Sequence, residues 1–199
     1  MAASEVALCN SALDKLGQDP ITSLSDTSKR AKLCNRNYSI FRDKLLRAYL
    51  WNFAMARVAL VEDATAPAFE FENRFILPTD CLRELEMYNS SSKWRVEGQY
   101  LLTNDSSVNL IYIKQVTTTT EFDTTFDEAL AYLLAAEFAY PLIQSVTLAK
   151  DMNAKAEMVL KDARSIDAQI GTPQSFEANE WILSRENSVA TSGKRDYYW

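Results

Sequence analysis

Two pairs of glutamates are the residues of this sequence best placed to do acid–base chemistry. Glu70 and Glu72 form one pair, and Glu84 and Glu86 form the other. Residues i and i+2 of a β-strand lie on one face, as the two carboxyl groups of a glycoside hydrolase must. Carboxylates at alternate positions are, however, usually the solvated side of a half-buried strand. A cell-wall (peptidoglycan) hydrolase using a Glu pair is therefore the alternative function, not the leading one.

The absence of histidine excludes several other kinds of chemistry. Ser-His-Asp and Cys-His catalysis both need an imidazole as the general base. Cys9, Cys34 and Cys81 lie far apart and form no C-x-x-C pair, which excludes zinc ribbons and thioredoxin-like redox sites. No two glycines lie within five residues of each other, so no known phosphate-binding loop is present. Apart from the Glu-pair alternative, we therefore expect no catalytic residue, no cofactor and no metal.

Charge is segregated along the chain. Residues 27–50 carry a net charge of +6, whereas the remaining residues carry −12. This segment is either a docking surface for an acidic partner or neighbouring subunit, or an ordinary solvated helix face. The overall charge of −6 argues against a third possibility, a DNA-binding regulator. The candidate interface residues in the segment are Lys29, Arg30, Lys32 and Arg36.

The last 28 residues, 172–199, contain a second set of interface candidates. They have no sustained period but are rich in Trp and Tyr, which often anchor interfaces. One interpretation is a clasp onto another molecule, and the other is a terminal segment packed on its own domain. The candidate residues are Phe176, Trp181, Ile182, Tyr197, Tyr198 and Trp199.

Apolar spacing indicates the elements that must position these residues. Steps of three and four residues predict a short helix over 5–16 that ends at Gly17, and a long amphipathic helix over 27–50 with Cys34 on its apolar side. Alternation predicts a half-buried strand over 69–77. Shorter apolar runs complete one small antiparallel sheet, while 117–120 is a strand end or a tether. These runs are 56–61, 84–88, 94–97, 99–103 and 108–114.

Helical spacing returns after residue 125. It predicts a helix from Phe126 that Pro141 ends or kinks, and a second helix over 144–169 that Gly171 stops. The fold class is therefore α+β, with a helical bundle made from N- and C-terminal helices. We predict that 1–54 and 125–171 form the bundle, that 55–124 form an inserted β domain with a small antiparallel sheet, and that 172–199 form an extended C-terminal tail.

One string of residues resembles a known family. It begins in the first predicted helix and ends in Trp51-Asn52-Phe53-Ala54. Looser matches follow at 75–83 and 126–131. The string is Ala12-Leu13-x-x-Leu16-Gly17-x-x-Pro20-Ile21-x-Ser23-Leu24-x-Asp26-x-Ser28-x-x-Ala31-x-x-Cys34-x-x-x-Tyr38-x-x-x-Arg42-Asp43-x-Leu45-Leu46-Arg47. It is similar to the head-to-tail adaptors of short-tailed bacteriophages, the tail tubular protein A family.

The resemblance implies a virion structural protein without catalysis, made in the bacterial host cytoplasm. Such a protein is a portal-binding head-tail connector that forms a twelve-subunit ring between the portal protein and the tail nozzle protein. Genomic DNA passes through its lumen during ejection without sequence-specific binding, and we expect that lumen to be acidic. The family usually has Pro where this sequence has Leu50, so the second helix is predicted to run further.

Overall fold

The structure, a computed structural model, describes residues 4–88 and 92–170, with side chains up to Ala163. The described part is α+β, as predicted, and its residues up to Asp167 form one compact unit. The helices are α1 (Glu5–Asp14), α2 (Lys29–Ala48), α3 (Thr124–Ile143) and α4 (Val146–Ile170). The strands are β1 (Met55–Ala59), β2 (Val61–Glu62), β3 (Asn73–Ile76), β4 (Cys81–Met87), β5 (Trp94–Glu97), β6 (Tyr100–Thr103) and β7 (Asn109–Lys114).

Helices α1 and α2 form a hairpin whose turn is set by local hydrogen bonds. The first helix ends before Gly17, as predicted, and that glycine adopts a left-handed backbone with φ of 65°. The side chain of Asn10 then holds the backbone of Ile21 through both its N–H (2.8 Å) and its carbonyl (3.0 Å). Ser28 caps α2 by accepting a hydrogen bond from the Ala31 amide at 3.2 Å. The turn therefore fixes where α2 begins.

The second helix ends at Ala48, so the prediction that Leu50 lets it run further is wrong. Tyr49 is already extended, and the chain turns to bury Trp51, which is only 3% exposed. The indole Nε1 of Trp51 donates to the Leu45 carbonyl at 3.1 Å. That carbonyl lies in the last turn of α2, where helix carbonyls commonly take partners from outside the helix. Trp51 thus packs back against the last turn of α2 and donates a side-chain hydrogen bond to it.

An aromatic cluster connects the end of α2 to the start of α3. The Trp51 and Phe126 rings meet edge to face, with centroids 5.1 Å apart and planes at 88°. Phe53 and Phe122 lie against Phe126 at 5.3 and 4.8 Å. Offset and edge-to-face arrangements of this kind add to the stabilisation from burial itself. The cluster places the start of α3 beside the end of α2.

The strands form two antiparallel sheets and not the one sheet predicted. The first has the order β1-β7-β4 and the second the order β2-β3-β6-β5. The predicted strand over 69–77 is observed only at Asn73–Ile76. Glu70 adopts a left-handed backbone, with φ of 72°, which interrupts an extended strand. The run 117–120 is not a strand end, since β7 ends at Lys114; it is part of the segment that connects β7 to α3, in which Thr119–Glu121 form a 3-10 turn.

Pro141 does not end α3, which continues to Ile143. The proline lies in the last turn, so the helix loses a single backbone hydrogen bond there, at exposed Glu137. The helix then closes at Gln144, whose left-handed backbone lets its amide donate to the Tyr140 carbonyl at 2.9 Å. Helix α4 lies within one or two residues of its predicted bounds, and the predicted stop at Gly171 lies outside the described residues.

Two apolar clusters hold the described part together. The larger joins all four helices around fully buried Phe126 and Phe138, and the smaller lies among the strands around Phe75 and Leu101. Strand β7 contributes to both, because Ile113 faces the helices while its neighbour Tyr112 faces the strand cluster. The strands and helices therefore share one compact unit. A separate β domain at 55–124 and the tail at 172–199 stay predictions.

Candidate docking surface

Helix α2 presents a basic stripe on the side opposite its core face. Its core face carries Ala31, Cys34, Tyr38 and Leu45, so Cys34 is a core residue, as predicted. Lys29, Lys32 and Arg36 follow one another at steps of three and four residues, which places them along a single line of the helix. All three are exposed. We call these three residues the basic stripe.

The basic stripe lines a groove between the start of α2 and the end of α3. The groove has a volume of about 500 Å³ and is lined by the stripe together with Thr27, Leu33 and Pro141. The ammonium of Lys29 donates to the Pro141 carbonyl, which ties the two helix ends together. Within the described part of the chain, Lys32 and Arg36 form no ion pair. The groove thus combines two available cations with an apolar floor.

Arg30, the fourth predicted cation, does not line the groove. It pairs with Asp19 in the preceding turn, Nη1 to Oδ2, at 3.1 Å. The Asp19 side chain is 83% exposed, so this surface ion pair contributes little to stability. Its effect is positional, because it directs the Arg30 side chain towards the turn. The structure therefore brings together three of the four predicted residues of α2.

Not every cation of α2 belongs to a solvated surface. Arg42 is only 5% exposed, and its Nε donates to Asp43 Oδ1 at 2.8 Å. Gln115 donates to the other oxygen of Asp43 at 2.7 Å, which joins α2 to the segment after β7. A buried charge needs such partners because water no longer solvates it. Arg42 and Asp43 form a structural pair, whereas Lys44 and Arg47 further along α2 are exposed.

The carboxylate pairs do not form a common site. Glu70 lies in the loop before β3, where it pairs with Arg95 at 3.3 Å. In β4 a register shift pairs Glu84 with Tyr112 and Glu86 with Ile111. Adjacent residues of β7 point to opposite faces, so the two glutamates of this pair lie on opposite faces as well. The prediction that i and i+2 share a face is thus wrong for β4, because of the bulge between them.

A second cleft lies beneath the loop of residues 63–72, on the outer face of the four-stranded sheet. Its volume is about 470 Å³, and Arg74, Arg95 and Tyr100 contribute to its walls. The Arg74 guanidinium stacks over the Tyr100 ring at 4.4 Å and pairs with Asp63 at 2.9 Å. Phe69, expected on a buried strand face, is instead 81% exposed. The alternation of Phe69 with Glu70 is typical of a strand, so the sequence pattern predicted a strand where the structure has a loop. Pro67 in a run of small residues is nevertheless a loop signal.

Neither the described cysteines nor the described acids assemble a metal site. Among residues 4–88 and 92–170, no three His, Cys, Asp or Glu residues are grouped so that they could hold an ion. Over the same residues, no helix combines the length and apolarity needed to cross a membrane.

The six candidates of the tail, from Phe176 to Trp199, lie outside the described residues. No protein-family model and no curated protein matches the chain.

Proposed function

We propose that this protein is a head-to-tail connector adaptor of a short-tailed bacteriophage virion. In this role it joins the portal protein to the tail nozzle protein as a twelve-subunit ring, and the genome passes through the lumen of the ring. The proposal rests chiefly on one observation. The residues of the string that resembles the adaptor family are the residues that build the α1–α2 hairpin and close it onto α3.

Each part of the shared string has a physical role in that hairpin. Gly17 supplies the left-handed residue after α1, and Ser28 caps α2. Asp26 stabilises the turn by accepting hydrogen bonds from the Thr22 hydroxyl and the Ser23 amide, at 3.1 and 3.2 Å. Trp51 completes the end of α2. The string therefore encodes a fold and not a reaction, and the structural role is proposed from the resemblance and not from the fold itself.

The basic stripe is a second observation that supports the same proposal. An adaptor must bind neighbours through surfaces that differ from each other, since a ring is built from heterologous contacts. A groove with two available cations in a chain of net charge −6 is suited to such a contact. The described residues offer no comparable arrangement for catalysis, because the paired glutamates of β4 lie on opposite faces.

Imaging of a reconstituted connector tests the proposal. The purified chain is mixed with portal protein of the same phage, and the complex is separated by sedimentation and examined by electron microscopy. We expect a ring of twelve copies on the portal, with an added mass of about 270 kDa. A ring of another symmetry would refute the stoichiometry, and failure to co-sediment with the portal would refute the function.

A DNA-binding assay separates this proposal from binding of nucleic acid by the basic stripe. If the stripe served DNA, affinity for a duplex would fall steeply as salt rises from 50 to 200 mM. We expect no measurable duplex binding at either salt concentration. Salt-sensitive binding that is lost in Lys32→Ala/Arg36→Ala would instead assign the groove to nucleic acid.

A further inference from the structure

The charges of α2 have a counterpart in the segment that contains α3. Helix α2 carries seven cations and one carboxylate, Asp43. The stretch 115–149 carries no Lys or Arg at all. It has five carboxylates, which are Glu121, Asp123, Asp127, Glu128 and Glu137. Two helices of opposite charge therefore lie in one compact unit.

Four of the five carboxylates gather where α3 begins, and we call Glu121, Asp123, Asp127 and Glu128 the acidic start. Asp123 caps the helix by accepting from the Thr125 amide at 2.7 Å. Glu121 pairs with Lys114 at 3.2 Å, and Glu128 is exposed and forms no ion pair with any described residue. Oδ1 of Asp127 is buried and has no hydrogen-bond partner in the described chain. Burial first, and then the charge of Asp123, raises the pKa of Asp127 to about 6.

The basic groove and the acidic start lie at opposite ends of the α2–α3 pair. Lys29, at the start of α2, touches Pro141, at the end of α3. Trp51, just after α2, packs on Phe126, at the start of α3. Fourteen residues of helix, or about 20 Å, separate Asp127 from Pro141. The two charged regions therefore cannot contact each other within one copy.

Between two copies, the basic groove of one copy and the acidic start of the other carry opposite charges and are therefore complementary. The basic stripe offers ammonium and guanidinium groups at the rim of a groove with an apolar floor formed by Leu33 and Pro141. The start of α3 offers carboxylates, with half-buried aromatic rings beside them. Nucleic acid would use the cations but not the apolar floor, so a protein segment is the better match. Opposite charges at opposite ends favour one relative orientation and disfavour its reverse.

We propose that the groove at the start of α2 receives the acidic start of α3 from a second copy of this chain, so that successive copies associate head to tail. The inference rests on the proposed function, because it specifies which surfaces meet between neighbours in the ring. The contact is heterologous, because two different surfaces meet. Repetition of one such contact closes a ring when a whole number of copies, each rotated by the same angle, completes one full turn.

Charge reversal tests the pairing. Lys32→Glu/Arg36→Glu reverses the groove, and Glu121→Lys/Glu128→Lys reverses the acidic start. Each variant alone should associate at least about tenfold more weakly than the wild-type chain in 50 mM salt, because like charges then meet. A mixture of the two variants should regain association, since each reversed surface finds an opposite charge on the other variant. Sedimentation velocity measures the association, and circular dichroism checks that each variant is folded.

A matched control uses the other exposed cations of α2. Lys44→Glu/Arg47→Glu makes the same change of charge on the same helix but outside the groove. We expect this variant to associate as the wild-type chain does. An equal loss in the control would show that net charge, and not the groove, governs association, and would overturn the inference.

The same variants are tested for incorporation into the portal complex, so the outcome is clear even if the free chain is a monomer. Full incorporation of both reversed variants would overturn the pairing but leave the adaptor proposal intact. No incorporation of the wild-type chain would refute the adaptor proposal itself. Failure of the mixed variants to recover, both free and on the portal, would also overturn the pairing.

Discussion

Replacement of Trp51 by Phe should destabilise the protein by about 2–3 kcal/mol. The smaller ring cannot donate to the Leu45 carbonyl, and a hydrogen bond of this type contributes about 1 kcal/mol net. The substitution also leaves that carbonyl with one hydrogen-bond partner fewer in the last turn of α2, in a region where Trp51 itself is 3% exposed. The loss of roughly 40 Å² of buried apolar surface contributes about 1 kcal/mol more.

Urea denaturation followed by far-ultraviolet circular dichroism measures this loss, with linear extrapolation to water. For a chain of this size, the expected change lowers Tm by about 5–10 °C. Trp94→Phe is the matched control, because Trp94 is only half-buried against the strand cluster. We expect it to lose less than about 1 kcal/mol. Equal losses in the two variants, or a loss below about 0.5 kcal/mol for Trp51→Phe, would refute the assignment of Trp51 as the closing contact of α2.

Four further predictions concern single positions and the tail. Gly17→Ala should lower the free energy of unfolding by about 1 kcal/mol in thermal melts, because φ is 65° and nothing else crowds the site. Tyr38→Phe should leave unfolding in urea unchanged or raise its free energy by up to about 1 kcal/mol, because the buried hydroxyl has no partner among the described residues. Asp127 has a folded pKa of about 6, above its ordinary value of 3.8, so its charge destabilises the fold increasingly as pH rises through 6. After allowance for partial exposure, Asp127→Asn should gain about 1 kcal/mol at pH 8 and little at pH 4, as measured by melts at both pH values. Deletion of 172–199 should leave Tm nearly unchanged but abolish stable co-sedimentation with the portal, and equal binding by the truncated chain would show that the portal-docking surface lies outside the tail.

Local signals predicted the helices well, because each helix end is determined by nearby residues. Gly17 ends α1 as predicted, and Ser28, a residue type that favours helix N-caps, caps α2 one residue after the predicted start. The end of α2 was not predictable in this way. It depends on Trp51 reaching back to Leu45 and packing on Phe126, which lies 75 residues further along the chain. A tertiary contact decided this boundary.

The sheets were less predictable, since alternation does not specify pairing. Strand β1 pairs with β7, 50 to 58 residues further along the chain, and this non-local pairing accompanies the division of the strands into two sheets. The loop at 63–72 carries the same alternation of Phe and Glu as a strand, but it folds over the sheet with Phe69 exposed. The bulge between Glu84 and Glu86 left no signal in the sequence pattern.

The basic stripe was predictable as a set of charges but not as a groove. Helical spacing places Lys29, Lys32 and Arg36 on one line of α2. The apolar floor depends on Pro141, which follows Lys29 by 112 residues and reaches it only through helix packing. Arg42 also fits a basic helix by sequence, yet Asp43 and Gln115 hold it as a buried pair. The folded structure, and not the sequence pattern, distinguishes the exposed cations of the basic stripe from the buried Arg42.

The packing of α1 against α3 has a consequence for synthesis on the ribosome. About 110 residues separate the end of α1 from the start of α3, and every strand lies between them. At a synthesis rate of ~5–20 residues per second, α3, the helix that covers the apolar faces of α1 and α2, is translated about 5–20 s after them. The strands have all their partners earlier, so we expect them to pair first and to bring the ends of the bundle together. This protein should therefore fold more slowly than a four-helix bundle of equal size, and a chain arrested before α3 should aggregate through its first two helices.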